Sequence, residues 1–403
     1  MKKYILALLT SLLLATPVAA LTTTQVSSNL IYSWWTHPIA TQLDGSLYFS
    51  GVTSGGSERT FRKTGSTITN RILQTLPEAD DHNAPSMLRE TGKDALLFYT
   101  RHNRSNIVNY WRAPEGTIDF EDKGNLTFPY RVTYSQVLSE GNRIILLTRS
   151  GDCRWYARVN DNYGASGYWD TPKLVIDACG EIDGKLYVLT SPSANQPIVA
   201  APHPTDTSWS NVAYGEVDVA SGQITSSEGV IGDIDAGDPI DKDQLDEVNP
   251  NQTSDQHTRL LDVGEMYGVP TIVYAKWGSN FDPRYYIAFY NGTGFDRYYL
   301  GLTAGVPFDG ANTAKKYVAG AAIMHGTNNL VVAAESGGTS TIRQYPLTGV
   351  NPATLGEPTT IATDATYRLV RPYVPRNCEC VLYQRLIEYN GFTSYKSQLW
   401  LAE

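Results

Sequence analysis

Along residues 21–403, apolar and polar positions exchange over short distances, in runs of about four to eight residues rich in Tyr, Val, Ile, Leu and Thr. Gly, Asn and Asp stand between the runs. This pattern predicts many short strands, and the 3.6-residue periodicity of amphipathic helices is almost absent. One unit recurs: a turn with Gly or Asn, followed by an apolar strand. It begins at Gly45, Gly92, Gly141, Gly184, Gly268, Gly326 and Asn377, seven copies with gaps of 47, 49, 43, 84, 58 and 51 residues. A period near 50 with several strands per unit predicts a propeller, because each four-stranded blade buries its faces only against its neighbours. The fold class expected is therefore all-β, a seven-bladed β-propeller forming a single domain over residues 21–403. A pair of sandwiches would not explain the even recurrence.

The 84-residue gap holds an insertion. Asp233 to Asp255 carries eight acids and a single Lys, with Gly and Pro. It reads as an exposed acidic loop rather than a calcium loop, since it lacks the spaced Asp-x-Asp-x-Asp pattern.

The first twenty residues break the strand pattern. Lys2 and Lys3 precede an apolar stretch from Ile5 to Leu14, and Pro17-Val18-Ala19-Ala20 supplies small residues at its end. That is the layout of a secretory signal peptide, too short for a spanning helix. A secreted or periplasmic protein follows, with cleavage after Ala20 and no membrane span.

Formal net charge is −9 over 403 residues. A nucleic-acid partner would require a basic surface, so none is expected. Basic residues do gather locally: Glu58 to Arg112 holds nine against six acids. This is either a mixed solvated surface or one wall of a cleft for a polyanion. In an exported protein the four cysteines are free to form disulfides. Cys153 and Cys179 would close one blade. Cys378 and Cys380 alternate on one strand and either pair with each other or ligate a metal with a histidine such as His257 or His325. Their spacing matches no zinc template. A structural calcium or zinc ion is left open, and no organic cofactor is expected.

Several chemistries are absent from the sequence: no Gly-x-Ser-x-Gly elbow, no phosphate loop, no His-Glu-x-x-His, no Cys-x-x-Cys. A glycoside hydrolase would use two carboxylates at a defined separation. Asp80 and Asp81 are adjacent, and on a strand they would point to opposite faces. What does stand out is Asp80-Asp81-His82-Asn83-Ala84-Pro85, then Tyr99-Thr100-Arg101-His102-Asn103 at the end of a strand. Two His-Asn pairs flank strands of one blade, near the channel mouth where propellers bind ligands. Two imidazoles beside an Arg suit proton transfer next to an anion. The following blade offers Tyr134 at the start of a hairpin and Arg149 at its end. Each of these residues also has a plain structural reading: a loop hydrogen bond for the histidines, core packing for one of 26 tyrosines, a surface ion pair for the arginine.

Trp34-Trp35-Thr-His-Pro, Asp80 to Pro85, Tyr99-Thr-Arg-His102, Thr133-Tyr134-Ser-Gln and His257-Thr-Arg-Leu-Leu-Asp262 followed by Gly268-Val-Pro together resemble the BNR-4 type propellers. These include the seven-bladed ulvan lyases and propellers acting on rhamnose–glucuronate linkages. The resemblance runs from about Trp34 to Tyr286 and fades toward the C-terminus. It implies that His82 and Tyr134 are catalytic acid and base, with His102 beside them and Arg149 neutralising a substrate carboxylate. Trp34, Trp35, Asn83, Arg101, Asn103 and His257 would contact substrate. The expected function is a monomeric lyase that cleaves an acidic, uronate-containing polysaccharide such as ulvan by β-elimination. An exo-acting rhamnose–glucuronate lyase or rhamnosidase, or a non-catalytic propeller that binds acidic glycans, are the alternatives. Ser135, where Pro is commoner, and the acidic insertion depart from the family pattern.

Overall fold

The computed structural model describes residues 21–33, 35–163, 168–182, 185–191, 197–202, 211–249, 257–278, 281–305 and 317–403. The expected leader, residues 1–20, lies outside them, as does Trp34. Seven antiparallel sheets follow one another along the chain. They form a seven-bladed β-propeller. The only helical pieces among the described residues are two 3-10 turns, Asp81–Asn83 and Lys242–Gln244.

Each blade starts at the centre of the ring and works outward. Innermost strands run Ala40–Leu43, Ser86–Leu88, Val132–Glu140, Leu186–Thr190, His257–Met266, Ala321–Met324 and Arg368–Tyr373 for blades I to VII. Position in the blade dictates composition. In blade III the innermost strand buries every residue but Glu140. The outermost strand of blade I, Thr67–Thr75, is largely exposed. Apolar side chains from facing blades form the core, as where Trp155 of blade III is fully buried and its indole N–H donates to the Leu186 carbonyl of blade IV at 3.0 Å. Gln136 ties the same two blades at the channel: its amide accepts from the Thr190 N–H at 2.7 Å.

The ring closes through its first strand. Thr23–Ser27 pairs antiparallel with Ser394–Ala402 and becomes the outer edge of blade VII. This places the Arg368–Tyr373 and Val381–Gly391 strands beside blade I, some 300 residues earlier in the chain, consistent with the Asp81 N–H donating to the Phe392 carbonyl at 3.0 Å.

Six of the seven turn–strand units mark the second strand of a blade. The fourth, at Gly184, instead leads into the innermost strand of blade IV. It falls one strand early, which shortens the gap before it and lengthens the gap after it. The acidic insertion is also more ordered than an exposed loop. Ile240–Asp241 pairs in parallel with the outer strand of blade III, and Asp246–Glu247 pairs with Ala213–Val217 of blade IV. Ile240, Leu245 and Val248 are buried there, so the segment stitches two blades together. Its residues beyond 249 lie outside the described set until 257.

Cys153 bonds Cys179, across blade III, and Cys378 bonds Cys380. The second bond removes those cysteines as metal ligands for His257 or His325.

Candidate active site

The site forms at the rim where chain enters each innermost strand and leaves each second strand. Asp80 is not on a strand. It caps the 3-10 turn Asp81–Asn83, its carboxylate accepting the His82 backbone N–H at 3.0 Å. That turn overturns the expectation that Asp80 and Asp81 point apart. Both carboxylates reach the same ring, each 2.8 Å from His82 Nδ1. The second oxygen of Asp80 lies 2.9 Å from His102 Nδ1. The two imidazoles stack with centroids 4.0 Å apart and planes 11° from parallel. Phe392, from blade VII, packs edge-on against both rings at 5.1 and 5.3 Å.

Tyr134 enters from blade III. It sits in a bulge between Thr133 and Gln136 with φ of 64°, a backbone state unusual for a residue with a Cβ. Such a conformation is held by its surroundings and commonly marks a site where a side chain must be aimed. Here it brings the phenol ring to 5.4 Å from the His82 ring. The Arg149 guanidinium carbon lies 5.0 Å from the Tyr134 ring and 5.4 Å from that of Tyr187. Arg149 is only 2 % exposed, yet among the described residues its Nε and Nη1 donors have no hydrogen-bond partner. Buried donors left unmade are costly, so these two nitrogens are positions that an acceptor could satisfy.

His82, His102, Tyr134 and Arg149 thus come together from blades II and III and the turn before them. The other residues singled out from the sequence fall differently. Trp35 is buried and stacks on Tyr187 at 4.3 Å. Asn83 is fully buried, and its amide oxygen accepts the His102 N–H at 2.7 Å, so it positions the histidine loop. Arg101 is engaged by Glu78 through both Nε and Nη2, at 3.0 and 2.8 Å. Asn103 is exposed with φ of 51°. His257 is buried and packs on Trp277 at 5.9 Å. The local excess of basic residues does not form one cleft: Arg71, Lys93, Arg101 and Arg112 are each ion-paired.

Besides Phe392, four polar or charged residues of the site carry no expectation from the sequence. Tyr187 extends from the innermost strand of blade IV, 5.9 Å from Tyr134. Arg259, on blade V, lies 5.0 Å over Trp35 and 4.1 Å over Tyr317. Arg371, on blade VII, donates to Asp81 at 2.9 Å, and the Tyr389 hydroxyl donates to the same carboxylate oxygen at 2.8 Å. The Arg259 signal was available inside the His257 to Asp262 motif. For Tyr187 it was the Gly184 unit itself. Nothing near Arg371 or Tyr389 pointed to a site.

Electrostatics separate the two imidazoles. Burial opposes a charge on His82, but Asp81 and Asp80 outweigh it and raise its pKa to about 9. For His102, burial and the neighbouring His82 charge depress the pKa to about 4, and Asp80 offsets this only in part. At neutral pH the pair holds one proton charge, on His82. The phenols separate likewise. Burial, reinforced by Tyr187, pushes Tyr134 well above the usual tyrosine value. Burial also acts on Tyr187, but Arg149, Arg259 and His82 overcome it and hold its phenol below that value. Burial therefore favours the protonated phenol at Tyr134.

Asp80, His82 and His102 bring potential ligand atoms within 4.8 Å of one another. As the rings stand, at most one of the two imidazoles could ligate an ion there together with Asp80. An imidazole binds a metal in the plane of its ring, and two nearly parallel rings 4.0 Å apart cannot both hold one ion in plane. A second acidic group, Glu181, Asp241 and Asp243, is exposed and is bridged by Lys242, whose Nζ lies 2.9 Å from Glu181 and 2.5 Å from Asp243.

No protein-family model matches the chain, and no curated protein matches it either. Among solved structures it is similar to a PL25 ulvan lyase, with a TM-score of 0.66 and 12 % identity over 94 % of this chain and 95 % of that one. The same enzyme type bound to -[GlcA(1-4)Rha3S]- gives 0.65 and 12 % identity, covering 95 % and 94 %. An oligogalacturonate lyase in complex with manganese gives 0.52 and 10 % identity, covering 95 % of each chain. The chain shares its propeller fold, over nearly its whole length, with polysaccharide lyases.

Proposed function

We propose that this propeller is a polysaccharide lyase that cleaves a uronate-containing glycan, with ulvan as the preferred substrate, by β-elimination. The observation that carries the reading is Arg149: a buried guanidinium with two unmade donors among the described residues, beside a protonated phenol, one charged imidazole and one neutral imidazole. The proton at C5 of a uronate is only weakly acidic until its carboxylate is neutralised. Arg149 receives that carboxylate and stabilises the enediolate charge as it develops, a contribution of about 3–4 kcal/mol for one such donor. Neutral His102, its Nδ1 directed at Asp80, presents Nε2 as the acceptor of the C5 proton. The electron pair of the C5–H bond forms the C4=C5 double bond, and the C4–O4 bond breaks. Tyr134 protonates the departing oxygen. His82 remains an imidazolium and adds positive charge beside the enediolate. The products are a 4,5-unsaturated uronate and a free hydroxyl on the preceding sugar.

Ulvan is favoured because the resemblance in the histidine, tyrosine and His257 motifs and the likeness to an ulvan lyase lead to the same polymer, a uronate alternating with sulfated rhamnose. Purified protein incubated with a panel of acidic polysaccharides tests this. Rising ultraviolet absorbance from unsaturated uronate on ulvan is the expected result. Absorbance on a different uronate polymer alone would reassign the substrate, and none on any would leave a glycan-binding propeller.

A further inference from the structure

A shallow, open cleft of about 560 Å³ lies beside the site, between blades II and III. Its walls are residues 103–106, 129–131 and 151–152. Each wall is a direct continuation of a segment that carries the chemistry. Asn103 follows His102, Arg131 lies three residues before Tyr134, and Gly151 lies two after Arg149. The backbone there is firmly tied. Asn103 N–H donates to the Val132 carbonyl at 3.0 Å, Val132 N–H to that of Ser105 at 2.8 Å, and Gly151 N–H to that of Arg131 at 2.8 Å.

Three exposed side chains give the cleft its character. Arg104 and Arg131 make no ion pair among the described residues, unlike Arg71, Arg101 and Arg112. Tyr130 is 48 % exposed, with the Arg154 guanidinium 5.6 Å from its ring. Asp152 is the one carboxylate in the walls. An exposed aromatic ring beside unpaired guanidiniums suits a pyranose that bears an acidic group: the ring offers an apolar platform, and the guanidiniums receive carboxylate or sulfate oxygens.

We propose that this cleft is a distal subsite, which holds the continuation of an acidic glycan chain whose reacting uronate lies at Arg149. The proposal takes the glycan's chemistry from the lyase reading, but its test does not depend on turnover. In a Tyr134→Phe background, so that the polymer stays intact, affinity electrophoresis through gels containing ulvan or polygalacturonate reads binding directly. Arg104→Ala with Arg131→Ala should weaken retention about tenfold, and more at low salt than at high, as expected for two partly exposed charge contacts. The paired Lys variants should recover most of the loss, and Tyr130→Ala should weaken retention at every salt concentration. In the otherwise native enzyme, the double Ala variant should lower the ratio of kcat/KM for long polymer to kcat/KM for a tetrasaccharide. Retention of the double variant equal to that of its parent, or a parent that neither acidic polymer retards, overturns the subsite. A parent that is retarded, and a double variant that is not, support it even where no uronate polymer is cleaved.

Discussion

Asp80 offers one carboxylate oxygen to each of two stacked imidazoles, and the consequence is a pair of opposite pH dependences. His82 has its folded pKa raised to about 9 from an ordinary 6.5, so its contribution to stability is complete below about 6.5 and is lost as pH rises toward 9. His102 has its folded pKa lowered to about 4, so its contribution is complete above about 6.5 and is lost as pH falls toward 4. The acidic limb is steepened by Asp80 and Asp81, both held below the carboxylate range: burial opposes this, and the imidazoles, with Arg371 at Asp81, outweigh it. Thermal unfolding followed across pH should therefore show a maximum near 6.5 with a fall on both sides. Asp80→Asn should flatten the alkaline limb, because His82 then keeps only Asp81. A melting temperature indifferent to pH between 5 and 9 would contradict the assignment. In the proposed mechanism the same charges shape turnover. Tyr134→Phe should lower kcat by about 10²–10⁴-fold with the fold intact, since it removes the proposed proton donor and no packing. Equal kcat in the two enzymes, measured on the same polymer, would remove Tyr134 from the reaction.

At the scale of strands, the repeat was legible because each blade contains an apolar run after a tight turn. The phase of the repeat was less so. First and second strands of a blade are both buried, so the pattern at Gly184 could mark either, and it marks the first. The acidic insertion was misjudged for a related reason: charge reports the exposed face, while Ile240, Leu245 and Val248 anchor the other. The first strand carried no signal of its partner at all. Thr23–Ser27 reads as an ordinary polar segment, and only ring closure gives it a role. Deleting residues 21–27 should leave the Ser394–Ala402 edge unpaired and expose the pocket of Val26. The loss of one buried side chain and several ladder bonds amounts to about 3 kcal/mol or more in urea unfolding. An unchanged midpoint would show that the closing strand adds nothing to the ring.

For the molecule as a whole, closure decides what the site contains. Arg371 and Tyr389 reach Asp81 across separations of 290 and 308 residues, and Phe392 covers both histidines. None of the three could be foreseen, because a contact between the last blade and the start of blade II follows from the ring and from no local motif. His82, His102, Tyr134 and Arg149 were legible, since each lies in a motif beside a strand end, and strand ends at one rim converge on the channel. The covalent link in blade III acts over the same scale. Cys153 and Cys179 are 26 residues apart, and breaking their bond enlarges the unfolded ensemble by about 3 kcal/mol of loop entropy. Replacing both with Ser should lower stability by roughly that amount at equilibrium while leaving the pH maximum in place. A shift of that maximum would mean that the bond acts on the site and not on the chain.

The central claim is that Arg149 holds a uronate carboxylate while its neighbours move the C5 proton. Its most direct test compares the native enzyme with Arg149→Ala on ulvan, following the absorbance of the new C4=C5 bond. The account predicts that the native chain produces the signal and that the variant falls by about 10²–10³-fold in kcat, the range for removal of one preorganised donor. Undiminished formation of the unsaturated product by Arg149→Ala would contradict it.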